Sequence, residues 1–433
     1  MKEITKTQNP FDAVIGYDSI KNELLQICDM LRNRDAYTRL GAKLPQGVLL
    51  YGDPGLGKTL LAKCLIEACG VETYTVRRNK SGENFVGEIA ETFRKAKENA
   101  PAIVFLDDMD KFANEDNDHK DAEEYVAVQA GIDEVKHADV FVLATVNEMH
   151  KLPGSLTRSG RFDRKIEVHC PTDADANKII AHYLSDKKVA DGVDLNDLSK
   201  MISYSSCAEL ETILNEAAIH AAFGGKDSIE TEDFVHAVLR MQYNAPDNFT
   251  KTSSEDLKRT ALHEAGHLVA CEALCPGSVG LASLRSRGRG DTGGFIHRCR
   301  ELPRRAHDII VSLAGKAAVE LYYAETCASG CQSDIARAYN NIRDAISESG
   351  TCGVGMIDVE TRCSPGMSES LNAQSEAVVH AEMERYLFKA RDILLRNRAF
   401  LERVADALAE KGTLLYSDIQ RLRGEAEITA AAV

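Results

Sequence analysis

Nowhere in its 433 residues does the chain offer the run of roughly 20 apolar residues that a membrane-spanning helix needs. Its opening, MKEITKTQNP, also lacks the apolar core of a secretory signal. Basic residues are outnumbered, 52 Lys plus Arg against 67 Asp plus Glu, giving a formal net charge of −15. That deficit argues against a broad nucleic-acid face, which requires clustered positive charge. No internal repeat is present. Twelve cysteines are scattered without an export signal, so they read as reduced thiols of a cytoplasmic protein rather than a disulfide framework. What remains is ordinary globular material, 44% hydrophobic and 27% charged. At roughly 150 residues per domain the length suggests about three domains, large enough to bury cores without staples.

Short apolar runs at residues 47–52, Ala102–Leu106 and Val140–Thr145 read as buried strands, with a last strand-like stretch at Lys165–His169. Helix-patterned segments such as Glu88–Asn99 separate them, which predicts a parallel sheet covered by helices over residues 1–172. From 173 to 245 the strand signals vanish. Ala176–Leu184, Leu195–Ile202, Ala208–Phe223 and Thr231–Met241 read as helices, with Gly192, Gly224 and Gly225 as turns. The polar stretch Tyr243–Ser254 marks a boundary. Residues 246–433 read as mostly helical, interrupted by a Gly- and Arg-rich segment at Pro276–Gly294. The acidic loop Asn114–Glu124 reads as solvated surface, and Glu425–Val433 as a frayed end.

Gly52-Asp53-Pro54-Gly55-Leu56-Gly57-Lys58-Thr59 fits the pattern G-x-x-x-x-G-K-[ST] between a strand and a helix. Glycines let backbone N–H groups wrap phosphates, and the helix N-terminus adds favourable potential. Lys58 then reaches the β- and γ-phosphates of ATP, and the Thr59 hydroxyl ligates Mg2+. Asp107 and Asp108 end the strand run IVFL. One carboxylate there can hold the magnesium and the other can orient attacking water. Asn147 follows the next strand and can touch the γ-phosphate or position water. Arg158 and Arg161, in TRSGRFDR, are candidate fingers for a neighbouring subunit's nucleotide.

His263-Glu264-Ala265-Gly266-His267 is H-E-x-x-H within a helical pattern. Residues four apart share a helix face, so both imidazoles can point at one ion. Zinc suits neutral imidazole and lowers the pKa of a bound water to about 7, and Glu264 is placed to act as its general base. Two histidines leave a third protein ligand to come from elsewhere. Cys331 and Cys271 are thiol candidates, although cysteine is among the most buried residue types and packing is its commoner role. The pair Cys271 and Cys275 reads as core for the same reason.

The order of phosphate loop, Asp107-Asp108, Asn147 and TRSGRFDR resembles an AAA+ ATPase. The flanks FDAVIGYDSIKNEL and RLGAKLPQGVLLYGDPGLGKTLLAK, with HEAGH some 200 residues later, are similar to the FtsH-type branch. The resemblance runs from about Phe11 to Arg423. It implies an α/β P-loop ATPase core, a small all-helical lid and a mostly α-helical zinc metallopeptidase domain. It further implies a homohexamer that unfolds, translocates and degrades polypeptide. Asp107 would bind magnesium, Asn147 would be the sensor, and Arg158 and Arg161 the arginine fingers. In the stretch Gly330 to Asp334, Asp334 matches the aspartate that completes the family's zinc site. Phe85-Val86-Gly87 resembles the substrate-gripping pore loop.

Four departures stand out. The family begins with membrane-spanning helices and this chain has none, which fits a soluble paralogue or a truncated chain. Asp108 replaces the catalytic Glu and is one methylene shorter, which predicts slow hydrolysis because errors of about 1 Å can cost around 100-fold. The pore segment lacks its usual following glycine. Asp133-Glu134-Val135 stands where the family has Asp-Gly-Phe, and Ser205-Ser206-Cys207-Ala208 replaces a Gly-containing lid contact, so communication between subunits is expected to differ. Two other readings of the residues are a weakly hydrolysing chaperone-like assembly and an ATP-independent peptidase.

Overall fold

The computed structural model describes residues 9–78, 84–113, 122–158, 160–245, 254–285, 293–324, 330–347, 369–426 and 428–431. Most of the acidic loop 114–124, most of the boundary stretch 243–254 and part of the Gly- and Arg-rich segment lie outside the described residues. The chain packs as two compact units. One comprises residues 1–186 and 204–212; the other comprises 187–203 and 213–433. These limits differ from the boundaries at 172 and 245 read from the sequence. The helix Asp173–Leu184 packs with the first unit, and most of the expected lid packs with the second.

The first unit is built on a parallel sheet of β1 (Gly47–Tyr51), β2 (Glu72–Val76), β3 (Ala102–Leu106), β4 (Val140–Val146) and β5 (Arg164–Glu167), in the order β2-β3-β4-β1-β5. β3 and β4 are buried throughout, as unbroken Val/Ile/Leu-rich runs require when helices cover both faces. β2, ETYTV, carries three polar residues in five and is largely solvent-touched, so no apolar run announces it. The helix Phe85–Glu98 buries Phe85, Ile89, Phe93 and Ala96, a stripe at helical spacing packed in the sheet's core. The C-terminal ends of β1, β3 and β4 deliver the phosphate loop, Asp107-Asp108 and Asn147 to one edge, where open parallel sheets bind ligands.

The second unit is helical around a small antiparallel sheet of β6 (Val279–Ser283), β7 (Phe295–Arg298) and β8 (Thr413–Leu415), ordered β7-β6-β8. The central helix Ser254–Leu274 carries HEAGH and is buried on nearly all sides from Ala261 onward, Glu264, His267 and Glu272 included. It packs against Arg305–Tyr323 and Arg398–Lys411. Residues 428–431, the described part of the end read as frayed beyond Ala426, are docked instead. Thr429 N–H donates to Asn397 Oδ1 at 2.8 Å, Ala431 N–H donates to the Ala273 carbonyl at 3.1 Å, and Ile428 packs on the core.

Candidate functional site

The phosphate loop begins at Gly52 with φ +142°, and a Cβ there would stand 2.1 Å from the Val168 carbonyl oxygen, so only glycine fits. Lys58 opens the helix Lys58–Cys69 and is buried. Its Nζ donates to the carbonyls of Gly52 at 2.7 Å and Asp53 at 2.6 Å. Burial draws its pKa down against the pull of Asp108, Asp110 and Asp53. Asp107 is buried at the end of β3, and its Oδ1 accepts from Thr59 at 3.0 Å and Thr145 at 2.8 Å. A phosphate-loop hydroxyl and a buried carboxylate thus share one point, the donor set that suits magnesium.

Asp108 takes a left-handed backbone, φ 54°. Lys111 Nζ lies 2.6 Å from its Oδ2, and Asn147 Nδ2 donates to its Oδ1 at 3.4 Å. Burial opposes its charge, but Lys111, Asn147 and Arg77 outweigh that and hold the carboxyl below the usual range. Asn147 and Asp108, expected to act together on the γ-phosphate side, are therefore in contact. Arg77 is a residue the sequence reading missed; its placement follows only from the register of β2.

The two finger candidates part company. Arg158 is exposed. Arg161 is only 6% exposed, pairs with both Asp133 oxygens at 3.2 and 2.7 Å, and donates to the Ser155 carbonyl at 2.6 Å. Three acceptors inside its own unit thus engage the Arg161 guanidinium, whereas Arg158 meets solvent. The pore-loop candidates stand at the start of a helix. Phe85 is buried against Phe112, ring centroids 5.3 Å apart and edge to face, because it heads the apolar stripe of its helix. Val86 and Gly87 lie in the first turn of that helix and are half-buried, rather than on a projecting loop.

In the second unit the helical spacing of His263 and His267 turns both imidazoles to one side. Asp334 joins them from the first turn of Gln332–Ser347, where the helix dipole favours a carboxylate. His263 Nε2 and His267 Nε2 are 3.0 Å apart, and Asp334 Oδ2 lies 3.2 and 3.4 Å from them. Ligands on one tetrahedral ion at about 2.0–2.2 Å stand about 3.3–3.6 Å from each other, so donors at 3.0–3.4 Å come within a few tenths of an ångström of a zinc site. Among the described residues this is the one His/Cys/Asp/Glu cluster at such spacing. His267 Nδ1–H donates to the Val311 carbonyl at 2.6 Å, which leaves Nε2 with its lone pair facing the cluster. Burial works against the charged form of His263, yet the Asp334 bond lifts its pKa to about 10. The same contacts outweigh burial at Asp334 and hold its carboxyl far below the usual range. Such mutual attraction for positive charge is what a cation site requires.

Glu264 is buried, and burial pushes its pKa up, against the pull of the two histidines and the Gly294 N–H. Gly315 lies against the imidazoles, where a Cβ would come within 2.5 Å of His263 Cε1 and His267 Nε2. Nothing in the spacing of the sequence points to Gly315. The thiol alternatives are not at the ligating face: Cys331 Sγ stands 3.9 Å from the opposite nitrogen of His263, Nδ1, and Cys271 is fully buried in the core. Cys275 packs on that core. Among the described residues no cysteine forms a disulfide.

Residues 48–170 match the ATPase family associated with various cellular activities (AAA), and residues 250–422 match peptidase family M41. The chain is similar to the "ATP-dependent zinc metalloprotease FtsH" of Leptotrichia buccalis, 31% identical over 95% of this chain and 56% of that protein. It is also similar to the protein of that name from Caldicellulosiruptor bescii, 30% identical over 96% of this chain and 72% of the relative. A third relative, "ATP-dependent zinc metalloprotease FtsH 2" of Symbiobacterium thermophilum, is 31% identical over 98% of this chain and 76% of its own length. The chain thus spans little more than half of one relative and about three quarters of the others. Among the described residues no helix is long and apolar enough to cross a membrane. With both motifs in place and identity sustained across both units, the chain belongs to the FtsH family of AAA ATPase-linked zinc metalloproteases.

Proposed function

We propose that this chain is an ATP-dependent zinc endopeptidase acting on unfolded polypeptide as a homohexamer, with an ATPase core at 1–172, a helical lid at 173–245 and a peptidase domain at 246–433. The observation that carries the reading is the set of three donors at tetrahedral spacing beside buried Glu264. His263, His267 and Asp334 would hold zinc, which when bound supplies Lewis acidity toward water and the scissile carbonyl. Glu264 takes the proton of the attacking water and returns it to the leaving amine, a role helped by its burial-raised pKa. The Val311 carbonyl keeps the His267 ring in the productive tautomer.

In the ATPase core, Thr59 and Asp107 would hold magnesium, and Lys58 would exchange its two loop carbonyls for the β- and γ-phosphates. Asp108 and Asn147 would orient water. Arg158 is the residue we assign to a neighbouring subunit's nucleotide. The test is ATP-stimulated cleavage of casein by the wild type and by Glu264→Gln. The variant should lose cleavage while keeping its zinc and its ATPase, and undiminished cleavage would overturn the assignment. A second reading, an assembly whose ATPase turns over slowly, draws support from the short Asp108 side chain and its 2.6 Å tie to Lys111.

A further inference from the structure

β2 and β3 pair in parallel with Val76 opposite Leu106, and Asp107 N–H donates to the Val76 carbonyl at 3.0 Å. The residue after β2 is therefore fixed beside the acidic pair that follows β3. That residue is Arg77. Its Nε lies 3.6 Å from Asp107 Oδ2 and one terminal nitrogen lies 3.9 Å from Asp108 Oδ2. Asp107 turns its other oxygen, Oδ1, to Thr59 and Thr145. The guanidinium thus stands at the Asp107 oxygen that the phosphate-loop hydroxyl does not use, beside the carboxylate proposed to hold magnesium.

Two further features define what this arginine can do. Its side chain is 56% exposed, in contrast to the largely buried carboxylates, and both contacts are long, at 3.6 and 3.9 Å, so the guanidinium is loosely held. It can be given up for a better anion. Meanwhile Arg161, the buried member of the expected finger pair, is held by Asp133 and Ser155.

We propose that Arg77 recognises the γ-phosphate of ATP from within the same subunit. On ATP binding its planar fork leaves Asp107 and Asp108 for the terminal phosphate oxygens, whose charge and geometry suit it better. With ADP no terminal phosphate is present, and Arg77 stays on the carboxylates. The residue then distinguishes the triphosphate from the diphosphate. The proposal rests on the reading of residues 52–59 as an ATP site.

The test uses the full chain with magnesium and compares wild type, Arg77→Ala, Arg77→Lys and Arg78→Ala. Calorimetry gives dissociation constants for a non-hydrolysable ATP analogue and for ADP. Arg78 serves as the control because its guanidinium faces Glu124 and the Lys111 carbonyl instead. Loss of a charge-assisted hydrogen bond predicts analogue binding weakened by about 10-fold or more in Arg77→Ala, with ADP binding within about twofold of wild type. Arg77→Lys should recover part of the loss, and Arg78→Ala should change neither constant. Retained ADP binding shows that the variant is folded. Equal weakening for both nucleotides, or no weakening for either, would overturn the proposal while leaving the ATP site intact. A wild-type protein that binds neither nucleotide would instead overturn the ATPase reading itself.

Discussion

Gly315→Ala is the smallest change that tests the metal centre. The added Cβ would lie 2.5 Å from His263 Cε1, 2.5 Å from His267 Nε2 and 2.7 Å from His263 Nδ1. Ordinary non-bonded contact begins near 3.5 Å, so the rings must retreat by about 1 Å. Zinc sites tolerate only about 0.2 Å in each ligand distance. Neither obvious escape is cheap. The His267 ring is pinned by its bond to the Val311 carbonyl, and Gly266 packs so tightly on the facing helix that a Cβ there would stand 2.5 Å from the Ala314 carbonyl. Backing the helices apart would open a core that is otherwise fully packed. Alanine is favoured over glycine in a helix by about 1 kcal/mol, so intrinsic propensity works against any loss. We expect zinc affinity to fall by at least about 10–100-fold, the range seen when even outer partners of a zinc ligand are removed. Elemental analysis after dialysis reads the zinc, casein cleavage reads the activity, and ATP turnover shows that the other unit is intact. Stoichiometric zinc together with wild-type cleavage in Gly315→Ala would refute the geometry described here.

Asp108→Glu lengthens the carboxylate by one methylene toward the position from which water attacks the γ-phosphate. We expect ATP turnover to rise, by up to about 100-fold if the present side chain falls about 1 Å short; steady-state phosphate release checks this, and unchanged or lower turnover refutes it. Asp233 is fully buried, accepts from the Glu230 N–H at 2.9 Å and from Lys226 at 3.0 Å, and lies 2.7 Å from His220 Nδ1. Burial raises its pKa, but these partners outweigh it, so the folded protein titrates Asp233 below the unfolded chain. Its stabilisation is therefore complete above about pH 4 and drains as pH falls through the lower folded value. Asp233→Asn should cost about 1–3 kcal/mol at pH 7 and flatten the loss of stability on the acid side. Urea unfolding at several pH values reads both, and a variant with the wild type's acid dependence would contradict the assignment.

The legible parts were those in which chemistry and backbone are contiguous. Gly52 to Thr59 and His263 to His267 are short enough for local geometry alone to point their groups at one ligand, and β3 and β4 announce themselves as unbroken apolar runs. Asp334 was reached only through family resemblance, because no local rule links it to histidines some 70 residues earlier. β2 escaped notice because ETYTV, exposed at Glu72 and Thr75, has no apolar run to display.

Residue identity at fixed spacing thus determined the two chemistries, phosphate binding and a histidine metal site. Tertiary packing decided which other residues serve them. It drew Arg161 onto Asp133, buried Phe85 against Phe112 and docked the chain's end through Asn397. It also set Arg77 beside Asp107 through the pairing of two strands, and laid Gly315 against both imidazoles through the approach of two helices. The physical reason is common to all five. A motif specifies what a side chain can bind, but its partners are fixed by contacts between segments distant in sequence, and burial and charge select among those contacts only once the chain has folded.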